Sequence, residues 1–158
     1  MDHRYYLAYG SNLNKAQMAG RCPGAKPAGI AELKGWRLMF KGSLTGSYLT
    51  IEPEEGCSVP AAVWQVTGGH ERNLDVYEGY PTFYYKKEMR VAMTDLSTGE
   101  KREVDTFAYI MHEDRFHGVP TRRYVDTCLE GYRDFGFDPT VLSEAVAYSM
   151  ERAGGEEE

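Results

Sequence analysis

Five consecutive residues, Tyr9-Gly10-Ser11-Asn12-Leu13, combine side-chain types that can turn several backbone N–H groups toward one point. Gly10 permits a backbone turn closed to most residues, and Ser11 and Asn12 are types that cap helices and saturate free donors. Such a loop suits an anion or a carbonyl oxygen, although Gly-Ser-Asn is also ordinary turn chemistry. Glu78 is the second candidate, set between Tyr77 and Gly79-Tyr80 where a helix-like stretch gives way to a strand-like one. A helix C-terminus lends a carboxylate no dipolar support and aromatic neighbours desolvate it. Its pKa is therefore expected to rise into the range of a proton shuttle near neutral pH. The competing reading is a solvated residue at a helix end.

Other chemistries find little support. His112-Glu113-Asp114-Arg115-Phe116-His117 superficially resembles a zinc-protease helix, but its imidazoles are five apart instead of four and do not share a helical face, so a polar loop is expected there. No G-x-S-x-G elbow surrounds Ser11, Ser43 or Ser47, and no G-x-x-x-x-G-K-[ST] loop is present. Cys22, Cys57 and Cys128 are scattered, odd in number and without C-x-x-C spacing, which argues against a disulfide framework or a zinc site and fits a reducing compartment.

The elements that would carry the loop and Glu78 can be read in order. Tyr5 to Tyr9 is a short aromatic strand delivering the loop, and Asn14 to Arg21 has helical composition with Pro23-Gly24 beyond. Ala28 to Lys41 reads as a strand or bent strand, followed by a turn at Gly42 to Gly46. Tyr48 to Ile51 is a brief strand ended by a polar turn, Pro53-Glu54-Glu55-Gly56, and Val59 to Val66 is a separate core strand. His70 to Tyr77 is helical, and Phe83 to Met93 pairs with Val104 to Met111 as a hairpin across Leu96 to Lys101. Tyr124, Cys128 and Tyr132 fall at i, i+4 and i+8 of one helix, and Val141 to Arg152 forms another, with residues 154–158 a solvated tail.

A chain of 158 residues fits one domain, here 1–153, with one core. The net charge of -6 without a Lys/Arg block argues against nucleic acid as a partner, and the 12 tyrosines favour a sheet-rich fold with polar-tipped walls. No apolar stretch approaches membrane-spanning length and no long h-region follows the start, so a cytoplasmic protein without membrane partners is expected.

The loop and Glu78 together resemble the γ-glutamylcyclotransferase-like family, in which a Tyr-Gly-Ser-Asn-Leu loop faces a Glu in a Glu-Gly dipeptide. The resemblance continues through Arg21-Cys22-Pro23-Gly24-Ala25, Leu33-Lys34-Gly35-Trp36-Arg37-Leu38, Ile51 to Val66, and Leu74 to Pro81. It implies an α+β fold, a compact mixed β-barrel flanked by helices with the site at one end. The implied reaction converts a small γ-glutamyl amine or amino acid to 5-oxoproline and a free amine. Glu78 would be the general acid/base, and Tyr9, Gly10, Ser11, Asn12 and Leu13 would bind substrate through backbone N–H groups. Whether they serve the oxyanion or the α-carboxylate is left open. The resemblance also places an aromatic residue after the catalytic Glu, which Tyr84 or Tyr85 can supply, and a helical Tyr matched by Tyr124; Pro120-Thr121 departs from the more usual Pro-Ser before it. No cofactor is implied, and a homodimer is the expected assembly. The alternative is a module that binds a small ligand in the same pocket without turning it over.

Overall fold

The aromatic run near the N-terminus forms β1 (Arg4–Ala8), whose Leu7 and Ala8 are buried. In the computed structural model, which describes residues 3–43 and 46–156, β1 is the shared seam of a barrel. It runs antiparallel to β3 (Gly46–Val66), from Arg4↔Val66 to Ala8↔Ala62, and parallel to β5 (Lys101–Met111) at Tyr5↔Thr106 and Tyr6↔Phe107. Next to β5 lies β4 (Tyr84–Asp95), and next to β4 lies β2 (Lys26–Ser43). Pairing of β2 back onto β3 closes five strands into a mixed barrel. A two-residue strand, β6 (Phe116–His117), joins β2 at Gly42 and Lys41. Against this surface pack α1 (Lys15–Arg21), α2 (Gly68–Glu78), α3 (Arg122–Phe135) and α4 (Thr140–Glu156).

The strands supply much of the core, among them Leu7, Phe40, Ile51, Val63, Phe107 and Ile110, all inaccessible to solvent. Burying each such side chain contributes about 1.5–3 kcal/mol. Helix α3 turns the predicted face inward: Cys128 and Tyr132 are fully buried and Tyr124 packs against the core. Gly136, with φ +72°, ends it. The β4–β5 hairpin pairs from Tyr84↔Met111 to Thr94↔Lys101. Among the described residues no helix is long and apolar enough to cross a membrane.

The largest departure from the sequence reading is β3. Instead of two strands separated by a polar turn at Pro53 to Gly56, it is one strand of 21 residues, paired with β2 from Gln65↔Lys26 to Gly46↔Ser43. A register shift between Lys34 and Trp36 takes up the irregularity. Gly35 and Gly56 adopt φ +84° and +86° there, a conformation open chiefly to glycine, so both strands bend together and neither stops. Polar Glu54 and Glu55 are exposed on this bend; their composition reported exposure, which sequence reasoning took for chain reversal. Of the turn expected at Gly42 to Gly46, residues 42, 43 and 46 are paired strand residues, and 44–45 lie outside the described residues. Helix α4 continues to Glu156, three residues into the segment read as a tail, and 157–158 lie outside the described residues.

Candidate active site

The chain leaves β1 through Tyr9 and Gly10, makes a 3-10 turn over Ser11–Leu13, and enters α1. The cap of α1 is Asn14: its Oδ1 accepts from the Gln17 N–H at 3.0 Å, and its Nδ2 donates to the Thr127 carbonyl of α3 at 3.1 Å. Ser11 and Asn12 are therefore not the helix caps their types suggested. Both accept from Arg21 instead, Nη1 donating to Ser11 Oγ at 3.2 Å and to Asn12 Oδ1 at 2.5 Å, while Asn12 Nδ2 donates to the Tyr6 hydroxyl at 2.9 Å. Gly10 has φ -124° and ψ -130°, outside the left-handed region. A Cβ there would touch Leu49 at 3.4 Å and the Tyr124 hydroxyl at 3.6 Å, so the glycine keeps space beside the cavity wall. Leu13 departs from expectation: it is fully buried in the core and does not line the cavity.

Glu78 is the last residue of α2. Thr67 caps the other end, its hydroxyl accepting from the His70 N–H at 3.2 Å while the Thr67 N–H donates to His70 Nδ1 at 3.1 Å. Gly79, at φ +61°, is the left-handed residue that stops the helix, and Tyr80 N–H donates to the Asp75 carbonyl at 3.0 Å. Charged contacts fix the helix against the barrel: Lys86 of β4 meets Glu71 at 2.7 Å and Asp75 at 2.8 Å, and Arg4 of β1 meets Glu71 at 3.0 Å. Asn73 Nδ2 also donates to the Arg21 carbonyl at 3.0 Å, joining α2 to the end of α1.

These connections bring Glu78 and the loop residues Tyr9, Gly10, Ser11 and Asn12 to one cavity of about 490 Å³. Among the described residues the Glu78 carboxylate has no hydrogen-bond donor. Burial pushes its pKa up to about 7 against a smaller opposing pull from Arg21. At neutral pH it is thus divided between its charged and protonated forms. Tyr84 and Tyr124 line the same cavity and grip Leu49 from both sides, the Tyr84 hydroxyl donating to its carbonyl at 2.8 Å and the Tyr124 hydroxyl accepting from its N–H at 3.2 Å. Burial raises the pKa of both phenols well above the ordinary value, so they act as neutral dipoles. Of the adjacent pair, Tyr85 points away, with its hydroxyl donating to Glu113 and its ring against His112. Tyr9 contributes ring surface, its hydroxyl being held by the Tyr109 carbonyl at 2.5 Å.

Residues 6–127 match the family described as gamma-glutamyl cyclotransferase, AIG2-like. The chain belongs to this family. It is 30% identical over 113 residues to a mouse gamma-glutamylcyclotransferase, an alignment covering 67% of this chain, and it spans 58% of that relative's length. A solved gamma-glutamyl cyclotransferase superimposes with a TM-score of 0.79 at 25% identity, over 91% of this chain and 86% of the other. A human protein described as uncharacterized superimposes with a TM-score of 0.78 at 26% identity, over 92% and 87% of the two chains. The folds agree in their mixed barrel and flanking helices.

In this gamma-glutamyl cyclotransferase-like chain the cavity holds residues that sequence reasoning did not nominate. Arg21 is the foremost. Its guanidinium lies 4.1 Å over the Tyr77 ring and binds two loop side chains. A lone Arg in the last turn of a short helix is indistinguishable in sequence from an ordinary dipole-compensating cation. Tyr6 and Tyr109 were missed because their strands read simply as core; only the barrel's closure turns their rings toward Glu78.

Proposed function

We propose that this chain cyclises a small γ-glutamyl compound to 5-oxoproline and releases an amine, with Glu78 as general acid and base. The observation that carries the reading is the Glu78 carboxylate, without a donor among the described residues and with its pKa near 7, in one cavity with the Tyr9 to Asn12 loop. The substrate supplies its own nucleophile. Glu78 takes a proton from the α-ammonium, the freed nitrogen attacks the γ-carbonyl carbon, and the ring C–N bond forms. Collapse of the tetrahedral intermediate breaks the original amide C–N bond as Glu78 returns the proton to the departing nitrogen, and the second proton of the ring nitrogen passes through Glu78 to the released amine, which leaves as its ammonium. Because ring closure is intramolecular, orientation in the cavity substitutes for much of what a protein nucleophile would supply.

The test is 5-oxoproline release from a panel of γ-glutamyl amino acids and amines. Glu78→Gln, which keeps shape and loses the proton shuttle, is expected to lower kcat by about 10²–10⁴-fold. Undiminished turnover in that variant would remove Glu78 from the mechanism. A ligand recovered intact after prolonged incubation with the wild type would instead identify a binding module.

A further inference from the structure

We infer that Arg21 receives the α-carboxylate of the glutamyl group, so that Arg21 and Glu78 together form a receptor for an amino-acid zwitterion. This assignment rests on the cyclotransferase reading and adds to it the residue that selects the substrate's head group.

Among the described residues lining the cavity, only Arg21 and Glu78 carry charge. The cations Arg4, Lys41 and Lys86 are each paired with a carboxylate, at 3.0, 2.5 and 2.7 Å respectively. Among the described residues, Arg21 has no carboxylate within ion-pair distance. Its Nη1 is occupied by Ser11 and Asn12, its Nε is buried without an acceptor, and Nη2 has no protein acceptor either. Nε is closed off from solvent, which leaves Nη2 as the guanidinium nitrogen free to meet a carboxylate oxygen from the cavity. Leaving such donors unsatisfied is costly, and an incoming carboxylate would remove that penalty. The guanidinium is held in place beforehand by the Tyr77 ring at 4.1 Å and by Ser11 and Asn12.

The substrate's chemistry fits this spacing of charge. In a γ-glutamyl group the α-ammonium and α-carboxylate sit on one carbon, so a receptor needs an anion and a cation near each other that do not neutralise one another. Arg21 is close enough to draw on Glu78 electrostatically yet forms no ion pair with it. With the carboxylate on Arg21, the α-nitrogen is directed toward Glu78.

Two substrates sharing a leaving group test this: γ-glutamyl-benzylamide and 4-aminobutyryl-benzylamide, which lacks only the α-carboxylate and closes to 2-pyrrolidinone. Wild type is expected to prefer the first, and Arg21→Met to lower kcat/KM for it by about 10²-fold while changing the second less than about threefold. An equal loss on both substrates would make Arg21 a support for the loop and overturn the assignment. Binding of 5-oxoproline and of 2-pyrrolidinone, measured by calorimetry in the same proteins, gives a readout without turnover. Arg21→Met should weaken only the former, by at least about tenfold. Unchanged 5-oxoproline binding in Arg21→Met would reject the anchor even if cyclisation is found. Selective loss of that binding in Arg21→Met, beside a wild type that releases no benzylamine, would support the anchor and reject the cyclotransferase reading. If Arg21→Met does not fold, Arg21→Lys, which keeps the charge without the fork, should weaken 5-oxoproline binding about tenfold and leave 2-pyrrolidinone unaffected; equal binding of 5-oxoproline to wild type and this variant would overturn the proposal.

Discussion

The Tyr109 hydroxyl donates to Asp75 Oδ1 at 2.6 Å, joining strand β5 to the helix that ends in Glu78. Asp75 also receives Lys86 at 2.8 Å, so one carboxylate holds both a barrel strand and its neighbour. Asp75→Ala leaves a buried phenol and part of an ammonium without their partner, and is expected to cost about 1–3 kcal/mol of stability by urea denaturation. Since the carboxylate of Glu78 is positioned from the same helix, kcat should fall as well. Unchanged kcat beside the lost stability would show that α2 holds its place without this bond.

Burial raises the Glu78 pKa from the ordinary 4.5 to about 7, and the sign of its effect on stability follows. The folded state binds this proton more tightly than the unfolded state does. Its contribution is complete below about pH 4.5 and is lost as pH rises through about 7. Glu78→Gln should therefore gain on wild type between pH 5 and 8, by about 2 kcal/mol, in denaturation midpoints taken across that window. Activity runs the other way, since proton abstraction needs the charged form: kcat/KM should climb with pH through about 7 and then level. A profile flat from pH 5 to 8 would contradict the assigned base.

Helix α3 reaches the loop through Gly131, where a Cβ would lie 2.6 Å from the Asn14 nitrogen and 2.7 Å from Leu13. Backbone cannot yield as a flexible side chain can. Gly131→Ala is expected to destabilise by about 1–3 kcal/mol and to raise KM by displacing the loop. Thermal denaturation together with steady-state kinetics would separate the two effects, and a variant matching wild type in both would show that α3 moves without consequence.

Tyr48, at the cavity edge, packs edge-on against Phe83 and Tyr124 with ring centroids 6.2 and 5.2 Å away. Together with Leu49 and Tyr84 these rings give the cavity an uncharged stretch of wall suited to the departing amine. Tyr48→Ala should raise KM for γ-glutamyl-phenylalanine by about tenfold and alter KM for γ-glutamyl-methylamide little. Equal effects on the two would place the leaving group elsewhere.

Much of this arrangement is legible in sequence wherever one residue type answers one local demand. Gly79 after Glu78 marks a helix end because a left-handed residue is needed there, and Tyr124, Cys128 and Tyr132 mark a face because helical period brings them together. The bent β2–β3 pair was not legible, since the register shift at Gly35 and Gly56 lets the strands run on past an unpaired polar stretch, and that shift depends on pairing between distant residues. Arg21 was hidden for a related reason: its role depends on Ser11, Asn12 and Tyr77, which surround it only after α1 and α2 have packed. Leu13 erred oppositely, sharing a motif with residues whose direction it does not share.

The parallel β1–β5 seam also governs when the site can come into being. The β2–β3 and β4–β5 hairpins join near neighbours in the chain and can zip early and β1 can add to β3, whereas the β1–β5 seam waits for a strand about a hundred residues downstream, the separation spanned by the Tyr9 to Tyr109 bond. On a ribosome, the segment carrying the loop emerges before β5, and the seam between them is locked last. Slow, high-contact-order closure, rather than formation of either hairpin, should therefore set the rate at which newly made chains become active.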